Sequence, residues 1–227
     1  MVTARDLEIL KLLEAHGLAT ARQISNIYFP SVHTGRNRIK SLLKLGVIKK
    51  LNYNSIFDKK EFEADQCLSL NTNDCFYSIG DLLSKLRKTV IHKDLINHNL
   101  LCNDVLIRIK SIIGSNCKSF SFEKFDKNKK NEIAPDITMY GENYKLGIEV
   151  ERTLKRDSFR YIHKFTHYSQ SDYTHILYVC KSSEIYSEIF KLSRQFPFVG
   201  ATLLTYETDV SSHKIPLTDF LARELNI

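Results

Sequence analysis

The chain has 227 residues, a mass of 26.3 kDa and a formal net charge of +7, with 43% hydrophobic and 26% charged residues. These are ordinary values for a globular protein and exclude bulk disorder. No apolar run reaches the roughly 18 residues of a membrane span, and the opening MVTARDLEIL carries charges where an export signal needs an apolar stretch. Five scattered cysteines, Cys67, Cys75, Cys102, Cys117 and Cys180, form no C-x-x-C pair. That argues against a disulfide framework or structural zinc and points to a reducing cytoplasm.

The first sixty residues hold eleven Lys/Arg against four acids, so the whole excess of positive charge lies there. A basic module beside a neutral body points to a polyanionic partner, most often nucleic acid. Three short helices are predicted in it. Thr3 caps the first, which carries Leu7, Ile9, Leu10, Leu12 and Leu13 and stops at Gly17. Thr20 caps the second, with Ile24 and Ile27 inward and Pro30 as the stop. The third runs from about Thr34 to Leu45 with Ile39, Leu42 and Leu43 on one face. Arg36, Lys40 and Lys44, four apart, form a ridge on its other face.

A strand at Val47–Leu51 and a second around Cys67–Leu70 complete three helices followed by a hairpin. This is the winged helix-turn-helix pattern, whose third helix enters the major groove. The run from Leu42 to Ile48 resembles the end of recognition helices in that superfamily. Arg36, Asn37, Arg38, Lys40 and Lys44, with Lys49 and Lys50 on the following strand, are the candidate DNA-contacting residues. A protein-docking helical module is the other reading.

Residues 71–95 are expected to form a strand and a helix, with Phe76, Tyr77, Ile79, Leu82, Leu83 and Leu86 packing inward. The predicted domains are therefore 1–90 and 91–227, in an α+β chain. In the second, a helix is expected over Leu95–Ile113, then strands at Lys118–Phe122, Ile133–Tyr140 and Tyr144–Val150. A helix at Arg156–Tyr168, a strand at His175–Cys180, a helix at Ser183–Gln195 and a strand at Val199–Tyr206 follow. The lysine-rich stretch Asp126–Asn131 reads as a turn. The pattern is a mixed sheet with helices on both faces.

Two spots in this sheet carry acids: Pro135-Asp136 opens one strand and Glu149-Val150-Glu151 closes the next. Alternation puts Glu149 and Glu151 on one side, and hairpin pairing brings Asp136 beside Glu149. Carboxylates gathered this way repel unless they share a partner, and a hard divalent cation, Mg2+ or Mn2+, is the usual one. A surface ion-pair network with Arg152, Lys155 and Arg156 is the alternative. His163 and His167 are four apart, but no H-E-x-x-H motif is present.

These acids and the order of elements from residue 95 resemble the PD-(D/E)XK nuclease signature. The resemblance implies that Asp136 and Glu149 bind the metal. The position usually held by lysine is Glu151; some members of that family carry the lysine on the following helix, and Lys164 is the first candidate here and Lys155 the second. A basic winged module, His98-Asn99-Leu100-Leu101-Cys102-Asn103-Asp104, Pro135-Asp136 and Glu149-Val150-Glu151, in that order, are together similar to the replication-relaxation family, which includes MobC-type plasmid mobilisation relaxases. That resemblance implies metal-dependent nicking of plasmid DNA at an origin of transfer, with Asp136, Glu149, Glu151 and Lys164 as catalytic residues and His98 and Asp104 as accessory ones. It also implies a relaxosome accessory or coupling protein as partner. The rival expectations are a DNA-binding regulator of plasmid replication or transcription with a lapsed nuclease site, or another nuclease of the same fold.

Overall fold

A computed structural model describes residues 2–50, 67–70, 93–122, 133–203 and 221. The chain divides into two compact units, Met1–Ile107 and Arg108–Ile227. The sequence-based boundary near residue 90, the packing expected of Phe76 to Leu86 and the turn at Asp126–Asn131 lie outside the described residues. The described residues form an α+β structure with six α-helices, a three-stranded sheet and a mixed five-stranded sheet. No helix among them is long and apolar enough to cross a membrane.

In the first unit, α1 (Ala4–His16) starts at Thr3, whose hydroxyl accepts from the Asp6 N–H while the Asp6 carboxylate accepts from the Thr3 N–H. Such a capping box satisfies two of the orphan donors of a helix start. Gly17, at φ 78°, closes the helix in the left-handed conformation that a side chain would disfavour. Ile9, Leu10, Leu12 and Leu13 are buried. A two-residue strand that the periodicity does not reveal, β1 (Ala19–Thr20), leads into α2 (Ala21–Tyr28), again through a capping box, between Thr20 and Gln23.

Helix α3 (Val32–Lys44) starts two residues before the expected Thr34, because Ser31 caps it: the Ser31 hydroxyl accepts from the Thr34 N–H. Ile39 and Leu42 are buried, and Leu43 is half-buried. Strands β2 (Ile48–Lys50) and β3 (Cys67–Leu70) pair antiparallel, and β3 also pairs with β1, giving the order β1-β3-β2. Helix α4 (Lys93–Ile113) gives its first part to this unit: the Asn99 side chain donates to the His16 carbonyl at 2.9 Å.

In the second unit, β4 (Ser119–Phe122), β5 (Ile137–Tyr140), β6 (Lys145–Glu151), β7 (His175–Cys180) and β8 (Val199–Leu203) lie side by side in chain order. The first two pairings are antiparallel and the last two parallel. Each parallel pair needs a crossover, supplied by α5 (Phe159–Ser169) and α6 (Ser183–Ser193). Both helices cover one face of the sheet. Tyr161, Phe165 and Tyr168 of α5 and Ile185, Tyr186 and Ile189 of α6 form one core with Ile176, Tyr178 and Cys180 of β7 and Val199, Ala201 and Leu203 of β8. Phe165 meets the Tyr178 ring edge-on at 5.4 Å and Tyr161 does so at 6.2 Å, an arrangement worth about 0.5–1.5 kcal/mol per pair beyond burial.

Alternation sends Leu146, Ile148 and Val150 to the other face, in register with Leu177 and Val179. There the Lys110 ammonium of the last turn of α4 lies 5.0 Å from the Phe120 ring centroid. Gly147, on the α5 face, is a close-approach position. A Cβ there would lie 2.6 Å from Ile176 Cδ1 and 3.0 Å from Pro135 Cγ. The missing side chain lets Pro135 sit against β6, and Asp136 follows it.

Candidate active site

β5 and β6 bring the acids together through their register. Ile137 pairs with Ile148, so Asp136, just before β5, falls level with the end of β6. Its Oδ2 accepts from the Val150 N–H at 2.7 Å. Glu149 and Glu151 point to the α5 face, in register with Tyr178 and Cys180 of β7. They are 2% and 5% exposed, an unusual depth for two carboxylates.

Two side chains from consecutive turns of α5 reach the same oxygen of Glu149. Lys164 Nζ donates to Oε1 at 2.7 Å, and the Tyr168 hydroxyl donates to it as well. Helical spacing explains the convergence: Tyr161, Phe165 and Tyr168 face the sheet, and Lys164 rides at their edge. Lys155 Nζ lies 3.5 Å from Glu151 Oε2, and the Lys155 N–H donates to the Tyr161 hydroxyl at 3.3 Å. Each candidate lysine thus holds one glutamate, Lys164 more closely than Lys155.

Burial pushes the Glu149 carboxyl above the usual carboxylate range, and the neighbouring Asp136 charge adds to this. The contacts of Lys164 and Tyr168 offset it only in part. Glu151 shifts upward for the same leading reason, burial, against the pull of Lys155 and Lys164. Burial disfavours the Lys164 ammonium, yet Glu149, Asp136 and Glu151 together hold it above the ordinary lysine value. Burial, then Glu149, raises the Tyr168 and Tyr178 hydroxyls, and burial lifts Tyr161 to about 12.

Burial, more than missing counter-charge, thus keeps these two carboxyls above their ordinary range, with Lys164 and Lys155 as their cationic neighbours among the described residues. One further polar atom faces this group without a partner. The Tyr178 hydroxyl is buried, is coupled electrostatically to Glu149, Glu151 and Asp136, and makes no hydrogen bond among the described residues. Asp136, Glu149 and Glu151 offer only oxygen donors, the ligand type that a hard divalent cation takes.

Other residues singled out in the sequence go to different places. Arg36, Asn37, Lys40 and Lys44 are exposed on α3, and Lys49 and Lys50 are exposed on β2. Asn37 Nδ2 is 3.0 Å from His33 Nε2. Arg38, grouped with them from the sequence, turns the other way. Its Nε and Nη2 grip the buried Asp6 carboxylate at 2.8 and 2.5 Å, tying α3 to α1. Burial opposes ionisation of Asp6, but the hydrogen bonds from Arg38 and Thr3 hold its carboxyl below the usual range. Asp104, expected as an accessory group, accepts from Gln23 Nε2 at 2.8 Å, and His98 Nε2 lies 3.6 Å from Cys102 Sγ one turn on.

Sequence reasoning did not assign functional roles to Tyr168 and Tyr178. The spacing of Tyr168 from Lys164 was a usable signal, whereas Tyr178 sits in an apolar strand and reads as core. Compared with known proteins, the chain matches no family model, no curated protein and no solved structure.

Proposed function

We propose that the chain is a metal-dependent DNA endonuclease, in which the first unit binds duplex DNA as a winged helix and the second cuts it at a PD-(D/E)XK-like centre. The observation that carries the reading is the meeting of Glu149 and Lys164 at 2.7 Å, beside an Asp136 fixed to the Val150 backbone. A lysine from α5 thereby offers the charge that Glu151 cannot. Support for the DNA-binding half comes from the element order helix, strand, helix, helix, strand, strand and the sheet order β1-β3-β2. The exposed cations of α3 and β2 add to it.

In this reading Asp136, Glu149 and the Val150 carbonyl would hold Mg2+ or Mn2+, with Glu151 on the same face of the sheet. The bound cation supplies Lewis-acid polarisation of the scissile phosphate and a bound water of lowered pKa. Lys164 places a positive charge where the phosphoryl oxygens gain negative charge. Tyr168 fixes the orientation of Glu149 by holding the same oxygen as Lys164. Tyr178, in register with Glu149 on β7, offers a hydroxyl to a water or phosphate oxygen in the site. The narrower proposal is a relaxase of the replication-relaxation type that nicks plasmid DNA at an origin of transfer, working with an accessory or coupling protein.

The test is a supercoiled plasmid, with and without the candidate origin, incubated with the protein and Mg2+ or Mn2+. Nicking that requires the origin is expected, lost in Asp136→Asn while DNA binding remains. Cutting of any DNA points to a general nuclease, and binding without cutting to a regulator. Undiminished nicking by Asp136→Asn removes the site assignment. Replacing Arg36, Lys40 and Lys44 together by alanine lowers the log–log salt slope of binding by about three, roughly one per phosphate contact.

A further inference from the structure

The outer side of α5 carries a second set of groups. A cleft of about 780 Å3 opens there, and its described lining includes Asp157, Phe159, Arg160, His163, Lys164 and His167. Phe159, His163 and His167 follow one another at four-residue intervals, and Arg160 and Lys164 form the neighbouring ridge. The Phe159 ring is 78% exposed, the most open large apolar side chain among the described residues. Asp157, the one acid among the described residues of the lining, accepts from the Phe159 N–H at 3.0 Å. Lys164 belongs to both places: it lines the cleft and its Nζ donates to Glu149 Oε1. The cleft therefore shares with the carboxylate cluster the side chain that holds Glu149.

Cations and ring N–H donors around an open aromatic face suit an unpaired nucleotide, with phosphate on the guanidinium and base on the ring. A paired duplex keeps its bases stacked on one another and offers no face to Phe159. We propose that this cleft takes an unpaired DNA strand next to the cleaved bond. The base of one nucleotide stacks on Phe159, Arg160 holds its phosphate, and His163 and His167 donate to the phosphate beside it. The position relative to the cut rests on the nuclease reading, and the substrate class it adds is locally melted rather than fully paired DNA.

The experiment uses the full chain, with the metal withheld by chelator so that nothing is cut. Its probes are a short oligothymidylate with one 2-aminopurine and a hairpin duplex of equal length, read by anisotropy and by 2-aminopurine quenching. Phe159→Ala is expected to weaken binding of the unpaired strand roughly tenfold, the order of one lost stacked base, and to abolish the quenching. Phe159→Tyr restores both. Arg160→Ala weakens the same complex and flattens its salt dependence, whereas Lys191→Ala on α6 leaves it unchanged. Duplex affinity moves less than about twofold in every variant. Equal losses for both probes, or none in Phe159→Ala, overturn the subsite. If these losses appear but the wild-type chain cuts no DNA with Mg2+ or Mn2+, the nuclease reading falls and the nucleotide subsite stands.

Discussion

In the first unit the buried polar side chains close on one another. His16 Nδ1 meets Asn103 Oδ1 at 2.9 Å, and Asn103 Nδ2 donates to Gln23 Oε1 at 3.3 Å. Gln23 Nε2 donates to the Leu100 carbonyl at 2.9 Å and to Asp104 at 2.8 Å. Asp6 is neutralised by Arg38 through two hydrogen bonds. In the second unit Glu149 and Glu151 are as deeply buried, yet their carboxyls stand above the ordinary range and the Tyr178 hydroxyl beside them has no described partner. A satisfied network specifies a fold, because removing any member leaves the others buried and unpaired. Carboxyls that burial holds above their ordinary range cost stability when ionised, and functional sites are enriched in such groups. On the proposed reading, the same depth of burial serves register in one unit and chemistry in the other.

The sharpest way to break this contrast is through the two lysines. If the second cluster is catalytic, Lys164→Ala loses about 10²- to 10³-fold in nicking rate, the scale of removing one preorganised charge at a developing oxyanion. Lys155→Ala, whose partner is Glu151 at 3.5 Å, keeps most of the activity. The reverse pattern in a nicking time course moves the catalytic charge to Lys155. Lys164→Arg keeps the charge but not the compact ammonium, and a partial recovery is expected.

A smaller effect separates the units by stability. Asn103→Leu removes one partner from each of His16 and Gln23 and is expected to cost about 1–3 kcal/mol, read as a lowered midpoint in urea. Glu149→Gln removes a desolvated charge instead, and because Lys164 is 34% exposed and keeps access to water, a smaller cost than that of Asn103→Leu is expected at neutral pH. Its pH dependence has a definite sign. The folded pKa of Glu149 is raised, so above the ordinary glutamate pKa the folded state keeps a proton that the unfolded chain has released. Stability is then full at low pH and is lost as pH rises through the folded pKa. In metal-free buffer the wild-type midpoint falls over that window, and Glu149→Gln flattens the fall. A midpoint rising with pH in wild type, and equally in the variant, contradicts the assignment.

Much of this architecture was legible in the chain because local signals carried it. Thr3, Thr20 and Gly17 mark helix ends by chemistry that acts within a few residues. The apolar run of β7 was placed at its observed limits, and two residues of spacing put Glu149 and Glu151 on one side. The three-four spacing of α5 also singled out Lys164. What failed to show was non-local. His16, Gln23 and Asn103 are a network only because residues some eighty positions apart pack together. Strand β1 is two residues long and exists through its pairing with β3. Arg38 was grouped with basic residues by composition. Two positions beyond Arg36, it lies off the ridge that Arg36, Lys40 and Lys44 share and reaches Asp6.

The central claim, that the carboxylates on the α5 face are a cation site, is tested most directly by Mn2+ binding in the absence of DNA. Titration followed by electron paramagnetic resonance should show Mn2+ bound by the wild-type chain, tighter as pH rises because Glu149 must release its proton to become a ligand. Asp136→Asn and Glu149→Gln should each lose that binding while their circular dichroism stays that of wild type. Mn2+ binding that survives both substitutions, or none in the wild-type chain at any pH where it is folded, would contradict the account.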